Sequence, residues 1–523
     1  MRGMRRLLLL LLGPLLVRAE ERPNILLLFA DDLGRYASAY ADAARPSPND
    51  LVRTPTFDRI AGEGARFDNA FVSSPSCTPS RGALYTGRHF FRNGSAAQLH
   101  HPWNGSDPDP AAALKGMPNA LAEAGYRVGW SHKWHLPAHL IGGPRNHHAP
   151  RGGRINRFSQ VVSGAADAAA ARAEVLEEVR GNFESFLATR TKGQPFFYSF
   201  NPTNTHRAWV RGSGKSLWGL EPERLRGKLP PFLPDRDVVR EDFADYLGEA
   251  MAFDAACGVI LDQLEQAGEL DRTLVCITGD HGAPGFPRGK CNVHDFGSRV
   301  LLALRWPGRI GSRRVVDMPV SLVDLAPTFL AAAGLESPDQ PNGQNLLPAL
   351  AEGADDAGLR GWALIGREVH VRSARSSSLP YPVRAIRTAG FLYVRNFKPD
   401  RWPMGEPLGA EGDRMPAFEQ LVEDTRAAYP DIDGSPTKAW LVRHRDEPSL
   451  RQARSLAWEL RPAEELYELR SDPHQLRNLA ADPEFAAQKQ DLRELLMAEL
   501  RKNDDPRLED AFDRPPYFTR SGR

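Results

Sequence analysis

The chain has 523 residues, 41% of them hydrophobic and 25% charged, with a formal charge of +1. This composition excludes a disordered, fibrous or multi-span membrane protein and suits one large domain plus a smaller one. The near-neutral balance gives no global drive towards nucleic acid or an anionic membrane. Four cysteines, Cys77, Cys257, Cys276 and Cys291, are too few for a disulfide framework.

Taken in order, Met1 to Arg6 is basic, Leu7 to Val17 is apolar, and Val17-Arg18-Ala19 offers a small-residue cleavage point. The pattern predicts a cleaved secretory signal over residues 1–19, because the apolar run is short for a bilayer span. Cleavage removes Arg2, Arg5, Arg6 and Arg18 and takes the formal charge from +1 to −3. No later stretch reads as transmembrane, so no stable membrane anchor is expected. The signal, with the Ala, Arg and Gly richness, points to a periplasmic or secreted bacterial protein. The sequons at Asn93-Gly-Ser95 and Asn104-Gly-Ser106 matter only in a eukaryotic secretory host.

Asn24 to Ala30 is an unbroken apolar run that stops at Asp31-Asp32, as expected of a strand buried on both faces of a parallel sheet. A helix follows Thr54-Pro55, and a short strand over Phe67–Val72 leads to Ser76-Cys77-Thr78-Pro79-Ser80-Arg81. A helix from Arg81 to Tyr85 is closed by Gly87, and another covers Pro118–Ala124. The strand Tyr126–Trp130 runs into His132-Lys133-Trp134-His135, and residues 136–165 read as a basic loop. A long helix covers Ala166–Thr189, and the strand Pro195–Phe200 ends before Asn204-Thr205-His206. Residues 207–237, rich in Pro and Gly, form a surface excursion. The helix Asp242–Ala267 leads to the strand Leu274–Thr278, which ends at Gly279-Asp280-His281-Gly282. A strand covers Val300–Trp306, and Pro327 kinks or delays a helix over Ser321–Ala333.

The alternation predicts an α/β domain over residues 20–378, with a large, mostly parallel sheet sandwiched by helices. From 379 to 523 the pattern changes to a smaller α+β domain with an antiparallel sheet. It has a hairpin, Val383–Thr388 and Phe391–Arg395, a strand Glu465–Leu469 and an amphipathic helix Phe485–Lys502. The tail from Asp504 reads as loose.

In an open parallel sheet, ligands bind beyond the carboxyl ends of the strands. Asp31, Asp32, Lys133, His135, His206, Asp280 and His281 all fall there. Each alone reads equally well as a turn or a solvated loop; together they describe a site. Three converging carboxylates repel unless a cation joins them, and oxygen ligands favour Ca²⁺ or Mg²⁺ over Zn²⁺. Lys133 and Lys290 add positive charge, with Arg288 as the competitor to Lys290. A cation, two ammonium groups and imidazoles around Cys77 suit a tetrahedral oxyanion, a sulfate or phosphate.

At this point the residues match a known family. Cys77-Thr78-Pro79-Ser80-Arg81, with Asp31-Asp32 upstream and Asp280 downstream, resembles the type I sulfatases of the alkaline phosphatase superfamily. Arg22-Pro23-Asn24-Ile25 and Glu465-Leu466-Tyr467 resemble that family at the two ends. The resemblance implies an alkaline phosphatase-like fold and conversion of Cys77 to Cα-formylglycine by a formylglycine-generating or other sulfatase-maturing enzyme. It implies that a hydroxyl of the hydrated aldehyde attacks sulfur in line, that the alcohol or amine leaves, and that the hemiacetal then collapses to release sulfate. By position, Asp31, Asp32, Cys77, Asp280 and His281 would hold Ca²⁺, with His281 standing where many members carry Asn. Arg81 and His135 would orient the nucleophile, Lys133 and Lys290 would neutralise sulfate oxygens, and His206 would protonate the leaving group.

Within the family, His370, Tyr381-Pro382-Val383-Arg384 and Asn396-Phe397-Lys398 resemble the heparan N-sulfatase branch. That implies glycosaminoglycan degradation at an N-sulfated glucosamine, with His370 and Arg384 meeting the sugar. The alternatives are an O-sulfatase on another sulfated polysaccharide, a phosphodiesterase or phosphonate hydrolase of the same superfamily, and a glycan-binding protein in which Cys77 stays unconverted.

Overall fold

A computed structural model describes residues 22–99, 103, 104, 106–337 and 341–518. The expected signal segment over residues 1–19 lies outside the described residues. β1 (Asn24–Ala30) is fully buried along its length. Ile25, Leu27 and Phe29 enter the apolar core on one face of the sheet; Leu26, Leu28 and Ala30 enter the core on the other. The continuous apolar run therefore feeds two cores by the period-2 alternation of a strand.

The remaining strands of the central sheet are β2 (Ala65–Phe67), β3 (Arg127–His132), β4 (Phe196–Asn201), β5 (Thr273–Gly279), β6 (Leu302–Arg305) and β7 (Arg314–Val316). Their order is β3-β4-β1-β5-β6-β2-β7. β3, β4, β1 and β5 are mutually parallel, and only β6 runs against its neighbours. Helices α1 (Pro55–Glu63), α3 (Ala168–Leu187) and α4 (Asp237–Gln266) pack on one face through residues such as Phe57, Val179 and Phe243. Helices α2 (Cys77–Thr86) and α5 (Leu325–Ala332) pack on the other through Leu84, Tyr85 and Phe329.

Two helix starts differ from the sequence reading. α2 begins at Cys77 rather than Arg81. Ser76 is extended, and Pro79 falls in the first turn, where its missing N–H has no intrahelical partner to lose. Gly87 closes the helix in the left-handed region at φ 67°. α5 begins late for the same reason, with Pro327 in its first turn and Ser321 and Asp324 forming a capping box ahead of it.

The small antiparallel sheet has the order β8-β9-β10-β11, from β8 (Trp362–Arg367), β9 (Val383–Thr388), β10 (Phe391–Asn396) and β11 (Glu464–Glu468). The β9–β10 hairpin is as expected. β8 pairs with β9 from Trp362↔Thr388 to Arg367↔Val383, so this sheet opens ahead of the expected boundary at 378. Helix α6 (Ala486–Lys502) covers the sheet through Leu492, Leu496 and Leu500. Over its described residues, 504–518, the tail is not loose: Asp505, Arg507 and Phe512 are buried, and Arg507 pairs with Glu368. Its polar composition conceals counter-ions for the small domain.

Candidate active site

The register of the parallel strands fixes the floor of the site. Ala30 pairs with Gly279, so Asp31 and Asp280 leave the sheet at the same level on neighbouring strands. Lys133 follows β3 directly, and His206 follows β4 by five residues. The loops leaving β1 and β5 are held close: the backbone N–H of Asp32 donates to Asp280 Oδ1 at 2.8 Å. Asp32 itself sits in the left-handed region at φ 53°, a conformation non-glycine residues adopt at a cost that surrounding contacts must meet. Tyr246 contributes: its hydroxyl donates to the Asp32 carbonyl at 3.0 Å and accepts from Gly34 N–H at 2.9 Å.

Cys77 is the first residue of α2 and is 2% exposed. Its Sγ lies 3.3 Å from His281 Nε2 and 3.9 Å from Asp32 Oδ1. Burial raises the thiol's pKa, but Lys133 and Lys290 outweigh it and bring the group to about 6. His281 Nε2 is also 3.1 Å from Asp32 Oδ1 and 3.5 Å from Asp280 Oδ1. Burial opposes charge on this ring, yet Asp280 and Asp32 raise it to about 9. One ring nitrogen therefore faces two carboxylates and the sulfur.

Positive groups close the ring of charge. Lys133 Nζ is 2.5 Å from Asp31 Oδ1, and Arg81 Nη2 is 3.4 Å from the same oxygen. Arg81 Nε donates to Asp280 Oδ2 at 2.9 Å and Nη1 to Asn201 Oδ1 at 3.3 Å, while its guanidinium lies over the Phe29 ring. Lys290 Nζ is 2.9 Å from Asp32 Oδ2 and 3.4 Å from Asp433 Oδ2. Despite burial, which favours the neutral acid, Lys133 and Arg81 hold the Asp31 carboxyl well below its ordinary range. Asp280 moves the other way, pushed up by burial.

The donor set suits a hard cation. Among the described residues, Asp31, Asp32, Asp280, Cys77, His281 and His206 offer ligand atoms in three overlapping groups, Asp32–Cys77–His281, Asp31–Cys77–Asp280 and Asp31–Asp32–His206, the atoms of each group lying within 4.8 Å of one another. Asp31 Oδ2 is buried and has no hydrogen-bond partner. A buried carboxylate oxygen left this way, beside two further carboxylates, is what a bound cation would satisfy.

His206 stands at the mouth, its side chain 36% exposed, with Nδ1 against the Arg207 carbonyl at 2.6 Å and Nε2 3.9 Å from Asp32 Oδ2. His135 lines a shallow cavity of about 190 Å³ with Thr78 and Trp134, beside the start of α2. Arg288 takes no part: it donates to the carbonyls of His474 and Gln475 and to the Tyr467 hydroxyl. His370 lies behind the nucleophile segment, with Nδ1 2.8 Å from Ser76 Oγ, and burial lowers its pKa to about 3. Arg384 is a correction. It is fully buried and bound to Asp505 and Glu368, so it is not presented to a sugar.

Asp433 was missed in the sequence. Its carboxyl is held low against burial by Lys290, His206 and His370 together. Asp431-Ile432-Asp433-Gly434 carries a turn signal, but nothing in it points to Lys290.

The chain is 30% identical to human N-sulphoglucosamine sulphohydrolase over 535 aligned positions, covering 95% of this chain and 93% of that one. It is 25% identical to an ulvan-active sulfatase of Formosa agariphila, covering 92% and 75%. A solved structure in complex with D-glucosamine-2-N,6-O-disulfate superposes with a TM-score of 0.59 at 18% identity, covering 95% and 100%, and shows the shared fold. The profile of the sulfatase family matches residues 23–335, from the approach to β1 to the end of α5. The chain therefore belongs to the sulfatase family, hydrolases of sulfate esters or sulfamates.

Proposed function

We propose that the protein removes sulfate from a sulfated glycan and that its substrate is an N-sulfated glucosamine unit at a chain end. The observation that carries the reading is the convergence of three carboxylates and two lysines on residue 77, with Asp31 Oδ2 unpartnered. Asp31, Asp32, Asp280, His281 and residue 77 would hold Ca²⁺, with Mg²⁺ as the competing ion; the cation supplies positive charge against a sulfate oxygen. Conversion of Cys77 to Cα-formylglycine by a sulfatase-maturing enzyme supplies a hydrated aldehyde as nucleophile in place of the thiol.

The chain's own residues do the rest. Arg81, clamped by Asp280, Asp31 and Asn201, fixes the start of α2 and so the direction of residue 77. Lys133, held by Asp31, and Lys290, held by Asp32 and Asp433, neutralise charge on the sulfate oxygens. His135, beside Thr78, orients the nucleophile. His206 has Nδ1–H committed to the Arg207 carbonyl, so Nε2 is the atom that hands a proton to the leaving nitrogen or oxygen. His370 holds Ser76 and acts as a positioning residue.

The N-sulfated substrate is favoured by the near end-to-end match to N-sulphoglucosamine sulphohydrolase. The N-acetylglucosamine-6-O-sulfatase of Bacteroides thetaiotaomicron, 24% identical to this chain, favours an O-sulfate as the second reading. Protein matured in a host with the converting enzyme is assayed for sulfate release from N-sulfoglucosamine and from 6-O-sulfated glucosamine, with the residue 77 peptide weighed in parallel. The reading expects converted residue 77 and faster release from the N-sulfated sugar. Faster release from the O-sulfated sugar replaces the substrate, and no release from either by converted protein overturns the function.

A further inference from the structure

A second and larger cavity, about 1140 Å³, lies between the central-sheet domain and the small domain. None of Asp31, Asp32, Cys77, Asp280 or Lys290 lines it. Tyr36 lines it, and the Tyr36 ring packs on Tyr246, whose hydroxyl holds the Asp32 carbonyl. An aromatic partition thus separates the two sites, although Arg35 follows Asp32 by three residues and Arg288 precedes Lys290 by two.

The cavity wall carries more positive charge than its carboxylates match. Arg35 and Arg66 share Asp68, at 3.4 and 2.9 Å. Arg387 holds Asp295 through two contacts, at 2.9 and 3.0 Å, and Arg299 lies 3.6 Å from the same carboxylate. Arg288 is 2% exposed and has no ion pair among the described residues. Buried charge of this kind is costly without a counter-charge.

Several of the lining residues also carry buried hydrogen-bonding atoms without a partner. Arg288 Nε, Arg35 Nε and Gln475 Nε2 are buried donors without a partner, and Gln475 is 1% exposed. His294 is 1% exposed, with Nε2 3.1 Å from Glu465. Burial keeps this imidazole neutral, so Nε2–H donates to Glu465 and Nδ1 is left as an unused acceptor. Guanidinium and amide donors suit a sulfate or carboxylate. An acceptor in the same lining has no use for a bare anion but suits a hydroxyl. A sugar bearing a sulfate or carboxylate presents both.

We propose that this cavity is a second binding site, taking a sulfated or carboxylated segment of a glycan separately from the Cys77 site. Its ligand class rests on the glycan reading above; its location does not. Arg45 and Arg470 are exposed on the cavity rim and outside the catalytic cluster. A heparin-derived oligosaccharide of about ten sugars is titrated calorimetrically into the full chain, into R45E/R470E, and into the charge-matched control R414E/R501E, whose sites are exposed and outside the cavity. Q475L, checked for an unchanged Tm, tests the interior.

The expected result is at least tenfold weaker binding for R45E/R470E and several-fold weaker binding for Q475L. The control pair should stay within twofold, and so should sulfate release from a monosaccharide by all variants. Unchanged binding in R45E/R470E, equal weakening in the control pair, or no binding by the unaltered chain would each overturn the site. Absence of sulfate release from any sugar bears on the catalytic reading alone, because binding is measured without turnover.

Discussion

The ammonium of Lys133 lies 2.5 Å from Oδ1 of Asp31, while Oδ2 of the same buried carboxylate has no hydrogen-bond partner. One oxygen is thus fixed by the protein, and the other is left for a ligand. The Lys133→Met variant removes both this anchor and one of the two ammonium groups proposed to neutralise the sulfate. Removing one preorganised charge-stabilising group costs about 10²–10³ in kcat, and that loss is the expected result in a sulfate-release assay. A variant within threefold of the parent would show that Lys133 does not face the reacting group.

Metal removal has a readout independent of turnover. A ligand that binds only the folded chain stabilises it by about 2.7 kcal/mol at a hundred times its Kd. Chelator-treated protein should therefore gain Tm when Ca²⁺ is added back, followed by scanning calorimetry. Asp280→Asn should lose most of that gain, because its carboxylate faces His281 Nε2 and the Asp32 backbone.

Acid sensitivity has an identifiable contributor away from the site. His89 is 1% exposed, stacked on Phe91, and burial with Arg360 and Arg92 lowers its pKa to about 3. Its folded pKa is below the ordinary 6.5, so the unfolded chain takes up a proton first as pH falls. The stability from His89 is complete above about pH 6.5 and is lost progressively down to about pH 3, by at most about 1.4 kcal/mol per pH unit. His89→Phe keeps the stack and removes the proton. Its denaturant-derived stability should fall less steeply than the parent's between pH 6.5 and 4; parallel slopes would exclude the assignment.

Arg384 should behave as part of the core rather than of a binding site. Removing one partner from a buried ion pair costs about 3–5 kcal/mol. Arg384→Gln should lower Tm sharply, because Asp505 loses its guanidinium partner and Glu368 keeps only Arg507. KM for a sulfated sugar should stay unchanged in the fraction that remains folded.

The sequence disclosed what is local. Unbroken apolar runs ending in Asp31-Asp32 and Asp280-His281 announced both the parallel strands and the groups at their ends, and the Cys77 to Arg81 segment needed only the next turn of helix. What depends on distant pairing was not legible. Arg384 reads as a surface or ligand-facing cation because its counter-ions lie 16 and 121 positions away. Asp433 reads as a turn residue because its partner Lys290 belongs to another loop. Trp362–Arg367 reads as part of the first domain because it precedes the change in pattern, yet its edge hydrogen bonds go to β9.

The buried knot of Arg384, Glu368, Arg507 and Asp505 sets an order of events during synthesis. Glu368 and Arg384 are made together, but Asp505 follows Arg384 by 121 positions, with Arg507 just after it. Until then Arg384 has one of its two carboxylates, and a half-compensated charge resists enclosure. The central sheet draws on none of these residues, whereas the small domain is completed only by α6 and the segment after it. A chain trimmed ahead of α6 therefore exposes the sheet face that Leu492, Leu496 and Leu500 cover, and the small domain is the part that such a cut would unmake.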